Sequence, residues 1–147
     1  MLALTSTAQT STSTWHVPQE FIGEWAIESS TTNKKSGGHV FADMIGKSVI
    51  ISEDQISWIE TWGENAQGKT NWVRVSRTIV PKAEISPFAY DLIAGDRYKA
   101  WSRVAIMRVD GDELHLCVNF PQGPRPTDFK KGNDGREFVI LRKIKRP

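Results

Sequence analysis

The stretch VDGDELHLCVNFPQGPRPTDF, residues 109–129, decides the fold. Asp110-Gly111 stands between two apolar runs, and this dipeptide accommodates the positive φ that a tight hairpin turn requires. The residues that follow alternate between apolar and mostly polar side chains, which indicates a strand with one buried face. Three prolines and a glycine then end the strand, because proline has no backbone N–H to donate to a ladder. The stretch therefore predicts a hairpin that leads into a corner.

Length and composition predict one soluble domain. A chain of 147 residues can bury a full core without disulfides or metals, and six Trp and six Phe are a rich aromatic supply for it. The net charge of +2 does not favour nucleic acid as a partner. The basic end formed by Arg142, Lys143, Lys145 and Arg146 is interpreted as a solvated tail, with a phosphate-binding patch as the alternative. No apolar run approaches the roughly 18–20 residues of a membrane helix.

The single cysteine excludes an internal disulfide, and no Cys/His cluster has zinc-ligand spacing. Residues 1–17 are predicted to be a flexible arm rich in Ser and Thr, because they hold too little apolar surface to offset their chain entropy. Residues 18–147 are expected to form the folded domain. The compartment stays open, since the chain as written predicts a cytoplasmic protein and a removed targeting segment would make it extracytoplasmic.

The rest of the chain has strand character with almost no helical periodicity. We expect eight strands at residues 23–29, 47–52, 56–62, 70–80, 86–93, 98–109, 113–119 and 136–144, with a short helical turn within residues 39–45. Short turns join them, and no long crossing connection is visible. The sequence therefore predicts an all-β fold, an eight-stranded antiparallel up-and-down barrel, with a sandwich as the alternative.

Two short motifs resemble those of lipocalins and related calycin barrels. Gly23-Glu24-Trp25 resembles the Gly-x-Trp signature of their first strand, and Leu141-Arg142 resembles the arginine of their last strand. In that family the arginine lies across the tryptophan ring and closes the barrel, a contact of about 0.5–2 kcal/mol. The resemblance therefore implies that Trp25 pairs with Arg142.

A longer match covers about residues 20–144 and is tightest in the last forty. Asp110-Gly111-Asp112-Glu113-Leu114, then the segment 123–129 and finally Val139-Ile140-Leu141-Arg142 resemble an uncharacterised lipocalin-like domain family frequent in planctomycete bacteria. The chain departs from that pattern before the hairpin, where it has Ala105-Ile106-Met107-Arg108 in place of a glycine and a tyrosine. The family has no settled activity, so the resemblance implies a barrel and a habit of binding.

The tryptophans are the candidate ligand-binding residues. Eight-stranded barrels either fill their interior with side chains or hold one small ligand, and large aromatic rings on inward faces serve both purposes. Glu60 is in phase with two of them and lies either inside, where a carboxylate needs a partner, or at the mouth in water. The candidates are Trp58, Trp62, Trp72 and Trp101, with Glu60, Arg74 and Arg103 as orienting polar groups.

No residue pattern predicts catalysis, and no cofactor or metal ion is expected. His115 and Cys117 share a face of one strand but have no third partner in reach. Arg125, fixed between two prolines, is interpreted as a corner clamp that bonds carbonyls or pairs with Asp128, with recognition at the rim as the alternative. The leading hypothesis is a non-enzymatic barrel that binds a small apolar or amphipathic ligand. The alternative is a solid-core barrel that docks to a protein partner.

Overall fold

The computed structural model describes residues 16–32, 41, 44–82, 84–85, 88–95, 102–130 and 135–145. Several expectations fall outside these residues. Most of the arm, most of the helical turn at 39–45, Trp101 and the side chain of Trp62 are among them. No helix among the described residues is long and apolar enough to span a membrane.

The described residues form a closed barrel of eight antiparallel strands, which confirms the predicted fold. A 3-10 turn at Gln19–Phe21 precedes the first strand. The strands are β1 (Gly23–Thr32), β2 (Ser48–Ile51), β3 (Gln55–Glu64), β4 (Thr70–Pro81), β5 (Ala89–Ile93), β6 (Arg103–Asp110), β7 (Glu113–Asn119) and β8 (Glu137–Lys143). Each pairs with the next along the chain, and β8 pairs with β1 to close the barrel.

The hairpin that the sequence places at Asp110-Gly111 joins β6 and β7. Asp110 and Glu113 are the last paired residues, and Gly111 between them has a φ of +63°. The predicted bounds of β7 are confirmed. β1 is longer than expected, because it continues past a bulge between Ile27 and Ser29 and keeps its pairing with β8 as far as Thr32. β5 and β6 are shorter among the described residues, since their pairing spans only four residue pairs.

The lower part of the barrel, where β1 begins, is filled with side chains. Alternate residues of every strand point inwards, and Val49, Ile56, Leu114, Leu116 and Leu141 have 0% of their surface exposed. A water-sized cavity would give the residues around it some accessible surface, so none adjoins these side chains. Phe21 from the 3-10 turn is also fully buried and meets the Tyr90 ring edge-on at 5.9 Å between centroids.

The expected boundary between arm and domain is placed one residue too late. Val17 is buried in the core, and its N–H donates to the carbonyl of Glu53 at 2.8 Å. Its apolar side chain and this backbone bond attach it to the turn between β2 and β3, so the domain includes at least Val17.

The expected pairing of Trp25 with Arg142 is wrong, because the neighbouring cation takes that place. Lys143 is the cross-strand partner of Trp25, and its Nζ lies 4.7 Å from the ring centroid. Arg142 has the opposite phase and points outwards, where it bonds Glu28 at 2.5 Å and Glu113 at 2.9 Å. The hydrogen bond to Glu28 raises the pKa of Arg142.

The proline-rich corner after β7 folds back over the outer face of the barrel. Arg125 clamps it, since its guanidinium donates to the carbonyls of Tyr90 at 2.6 Å and Ala105 at 3.1 Å. The corner-clamp interpretation is therefore confirmed for the carbonyls. The acidic partner is Asp91 at 2.6 Å, whereas Asp128 pairs with Arg136.

Candidate functional site

Charged and aromatic side chains meet inside the upper part of the barrel, the end where β1 finishes and β3 turns into β4. Arg77 of β4, Arg103 of β6 and Glu137 of β8 are in phase with the apolar residues of their strands and therefore point inwards. All three are buried. We call these three residues, together with Ser30, Phe41, Trp58 and Phe120, the upper cluster.

Each arginine of the upper cluster lies over an aromatic ring. The guanidinium carbon of Arg77 is 5.3 Å from the centroid of Trp58, and that of Arg103 is 4.8 Å from the centroid of Phe120. Each guanidinium also donates to the carbonyl of the preceding residue, at 3.1 Å for Arg77 and 2.8 Å for Arg103. Both cations are thus held against flat aromatic surfaces. The cation–π attraction is stronger when the charge is shielded from water.

The carboxylate of the cluster, Glu137, is fixed by two donors. The Ser30 hydroxyl donates to its Oε2 at 2.6 Å, and the backbone N–H of Phe41 donates to the same oxygen at 2.9 Å. Phe41 is fully buried and its ring lies 5.6 Å from that of Trp58. One buried carboxylate therefore ties β1, β8 and the segment after β1 together.

Burial dominates the electrostatics of the two arginines. It lowers the pKa of Arg77, and the charge of Glu60 acts in the opposite direction. Burial also lowers the pKa of Arg103, the nearby positive charge of Arg77 lowers it further, and Glu137 raises it. The cluster can therefore bind the polar end of a molecule whose apolar part lies on the rings.

The sequence candidates divide between the two faces of the barrel. Trp58 and Arg103 lie inside, in the upper cluster. Glu60 is exposed at the mouth and accepts a hydrogen bond from Trp58 Nε1 at 3.0 Å, in agreement with the water-exposed alternative. Trp72 and Arg74 do not point into the barrel, because β4 points its Arg77 phase inwards and both belong to the other phase. Trp72 is 69% exposed.

Sequence reasoning missed Arg77, Phe120 and Glu137, although two of them carried a signal. Arg77 is two residues from both Val75 and Ile79 and so shares their face of the strand. Glu137 shares a face with Val139 and Leu141 in the same way. A charge in the apolar phase of a strand marks a buried polar position. Phe120 follows the end of β7, so strand alternation gave no indication of its place.

Two grooves lie on the outer wall. One, of about 290 Å³, is formed by β2, β3 and β4 and includes Trp58 and Arg74 in its lining. The other, of about 370 Å³, lies between β5, β6 and the proline-rich corner, and Phe88, Ile106 and Phe129 line it. Of these two sequence candidates, Arg74 is exposed on the outer wall, whereas Trp58 is 3% exposed and belongs to the upper cluster inside the barrel.

His115 and Cys117 do not form a reactive pair. His115 Nε2 lies 3.1 Å from Glu113 Oε1, and its Nδ1 lies 3.4 Å from the guanidinium of Arg108. Cys117 is fully buried and its thiol donates to the carbonyl of Lys130 at 3.6 Å. Within the described part of the chain, no group of three or more His, Cys, Asp or Glu side chains is placed to hold a metal ion.

Comparison with known proteins adds no relative. No protein family, no curated protein and no solved structure matches this chain.

Proposed function

We propose that this protein is a non-enzymatic barrel that binds one small amphipathic ligand at the upper cluster. Its sequence resemblance to the uncharacterised lipocalin-like family favours the same kind of role. The observation that carries the proposal is the pair of buried arginines, Arg77 and Arg103, each over an aromatic ring, with Glu137 as the buried carboxylate of the same cluster. Arginine offers a planar fork of donors for a polar group, and the rings offer flat apolar contact.

Stability alone is a weak reason for charges in this position. Taking ions out of water costs several kcal/mol each, and well-packed apolar residues of similar volume are often as stable or more so. The positive charge of Arg77 also lowers the pKa of Arg103, and this repulsion between the two cations adds to that cost. A barrel that only needed a filled interior would be served by apolar residues, so a binding role accounts for the cluster better.

Ligand binding is tested by native mass spectrometry of gently purified full-length protein, followed by organic extraction and identification of the bound molecules. The expected result is a stoichiometric adduct that Arg77→Met weakens by about tenfold or more, because a charge-assisted hydrogen bond is lost. Arg103→Met is expected to act in the same direction. Arg108→Met is the matched control, since Arg108 lies on the outer face of β6 over Phe129 at 4.5 Å.

A protein free of adducts, with tryptophan fluorescence unmoved by a panel of amphipathic probes, would contradict ligand binding. Such a result would favour the second candidate, a protein-interaction module. The interaction module is supported by exposed apolar side chains. Trp72 on β4 has 69% of its surface exposed, and Phe88, which lines the groove beside the proline-rich corner, has 45% exposed. Trp72→Ser and Phe88→Ser would then be expected to abolish association with a partner while leaving stability unchanged.

A further inference from the structure

The groove on the outer wall of β2, β3 and β4 has an apolar floor and a cationic rim. Ile50 and Ile59 form the floor, and Lys47 and Arg74 stand at its sides. Ile59 and Arg74 are cross-strand partners, so the arginine side chain starts directly beside the floor. The upper cluster lies inside the barrel, and among the residues that line the groove it shares Trp58 alone. The groove is therefore a separate place on the molecule.

Ser57 supplies a buried hydroxyl to this groove. Only 8% of its surface is exposed, and its Oγ accepts a hydrogen bond from Arg74 Nη1 at 3.3 Å. Because that bond uses a lone pair, the hydroxyl hydrogen is still available, and none of the described residues accepts it. An acceptor bound in the groove could therefore take the hydrogen of this hydroxyl.

The cations of the groove also differ from Arg142 and Lys145 on the outer surface. Arg142 and Lys145 each have a carboxylate within 4.0 Å, whereas Lys47 and Arg74 form no ion pair with any described residue. The adjacent acid is Glu24, which accepts a hydrogen bond from the Ser48 hydroxyl at 3.0 Å. Two cations against one carboxylate leave the groove with an excess of positive charge.

We propose that this groove binds a small organic acid. The carboxylate lies between Lys47 and Arg74 and accepts the hydrogen bond of the Ser57 hydroxyl, and the apolar part covers Ile50 and Ile59. The volume of about 290 Å³ limits the apolar part to roughly one ring or a short chain. This site goes beyond the proposed function, since it uses neither Arg77 nor Arg103.

The test follows the methyl groups of Ile50 and Ile59 by NMR while full-length protein is titrated with benzoate. We expect saturable shifts in the millimolar range, as befits a ligand of this size in an open groove. Benzyl alcohol, which has the same ring without the charge, is expected to bind about tenfold more weakly or worse. Inorganic phosphate, which has the charge without the ring, is expected not to move the two methyl groups in a saturable way.

Three variants locate the carboxylate. Arg74→Gln and Lys47→Gln are each expected to weaken benzoate binding by about fivefold or more, and Ser57→Ala by about threefold. Lys69→Gln, an exposed charge in the turn between β3 and β4, is the control and is expected to change nothing. Arg74 and Lys47 are exposed, so their variants are expected to fold, which thermal unfolding verifies.

Four results would overturn the proposal. They are an absence of saturable shifts with benzoate, equal affinity for benzyl alcohol, equal affinity for phosphate, and unchanged benzoate binding in both Arg74→Gln and Lys47→Gln.

Discussion

Lys143 Nζ lies 4.7 Å from the centroid of the Trp25 ring and donates a hydrogen bond of 2.6 Å to the carbonyl oxygen of Ile22. The indole N–H of Trp25 donates to the carbonyl of Phe21 at 2.8 Å. The first and last strands are thus joined to the 3-10 turn by one ring and one cation. This contact closes the lower end of the barrel.

Lys143→Met is expected to lower the free energy of unfolding by about 1–2 kcal/mol, because it removes both the cation–π contact and a hydrogen bond to the backbone. Arg142→Met is the matched control and is expected to have little effect, since its ion pairs are exposed and screened by water. Urea unfolding of the two variants and the parent chain measures the difference. A larger loss for Arg142→Met would mean that the outer ion pairs, and not Lys143, close the barrel.

The fold could be predicted because its determinants are local. The turn at Asp110-Gly111 and the alternation after it fix β6 and β7 without knowledge of any distant contact. The last strand is different, because both of its faces carry apolar residues. Phe138 points outwards and packs against the second, outer core of Ala89, Ile106 and Cys117. Alternation alone therefore did not say which of Arg142 and Lys143 faces Trp25.

The candidate site was predicted only in part for a related reason. Trp72 and Trp58 look equivalent in a sequence, yet the end of β4 that carries Trp72 is exposed on both faces. The aromatic content therefore did not separate interior from surface. Arg77 meets Trp58 across the β3–β4 hairpin, whereas Glu137 depends on Ser30, a partner 107 residues away in the chain. Contacts at that separation are determined by barrel closure, which no local pattern specifies.

Arg125→Met is expected to lower the free energy of unfolding by about 2–4 kcal/mol. It removes the hydrogen bonds to Tyr90 and Ala105 together with the ion pair to Asp91. Lys82→Met is the control, since Lys82 pairs with the same Asp91 at 3.4 Å and its variant is expected to cost less than about 1 kcal/mol. Chemical denaturation measures both. Equal losses would show that the ion pair, and not the carbonyl clamp, holds the corner.

The buried phenol of Tyr90 is expected to make the free energy of unfolding decrease in strong alkali. Burial, assisted by the charge of Glu20, raises the pKa of Tyr90 to about 12 from its ordinary 10.0. Between these values the native state keeps a proton that the unfolded chain has lost, so the stabilising effect is complete below pH 10 and is lost as pH rises towards 12. The loss in the free energy of unfolding is roughly 3 kcal/mol. We expect Tyr90→Phe to show a smaller decline between pH 10 and 12 in urea unfolding. Parallel curves for the two proteins would contradict the shift.

Cys117 reports the opening of the corner. Its thiol has no exposed surface and lies beneath the segment that Arg125 clamps, with Sγ 3.6 Å from the carbonyl of Lys130. Reaction with a thiol reagent such as Ellman's reagent therefore requires local opening, and we expect it to be about a hundredfold slower in the native protein than in urea. Arg125→Met is expected to accelerate the native reaction more than Lys143→Met. Cys117 pairs with Phe138 near the start of β8, whereas Lys143 is the last residue of that strand. Immediate stoichiometric labelling of the native parent chain would show that the corner does not cover the thiol. Equal acceleration in the two variants would show that labelling follows global unfolding.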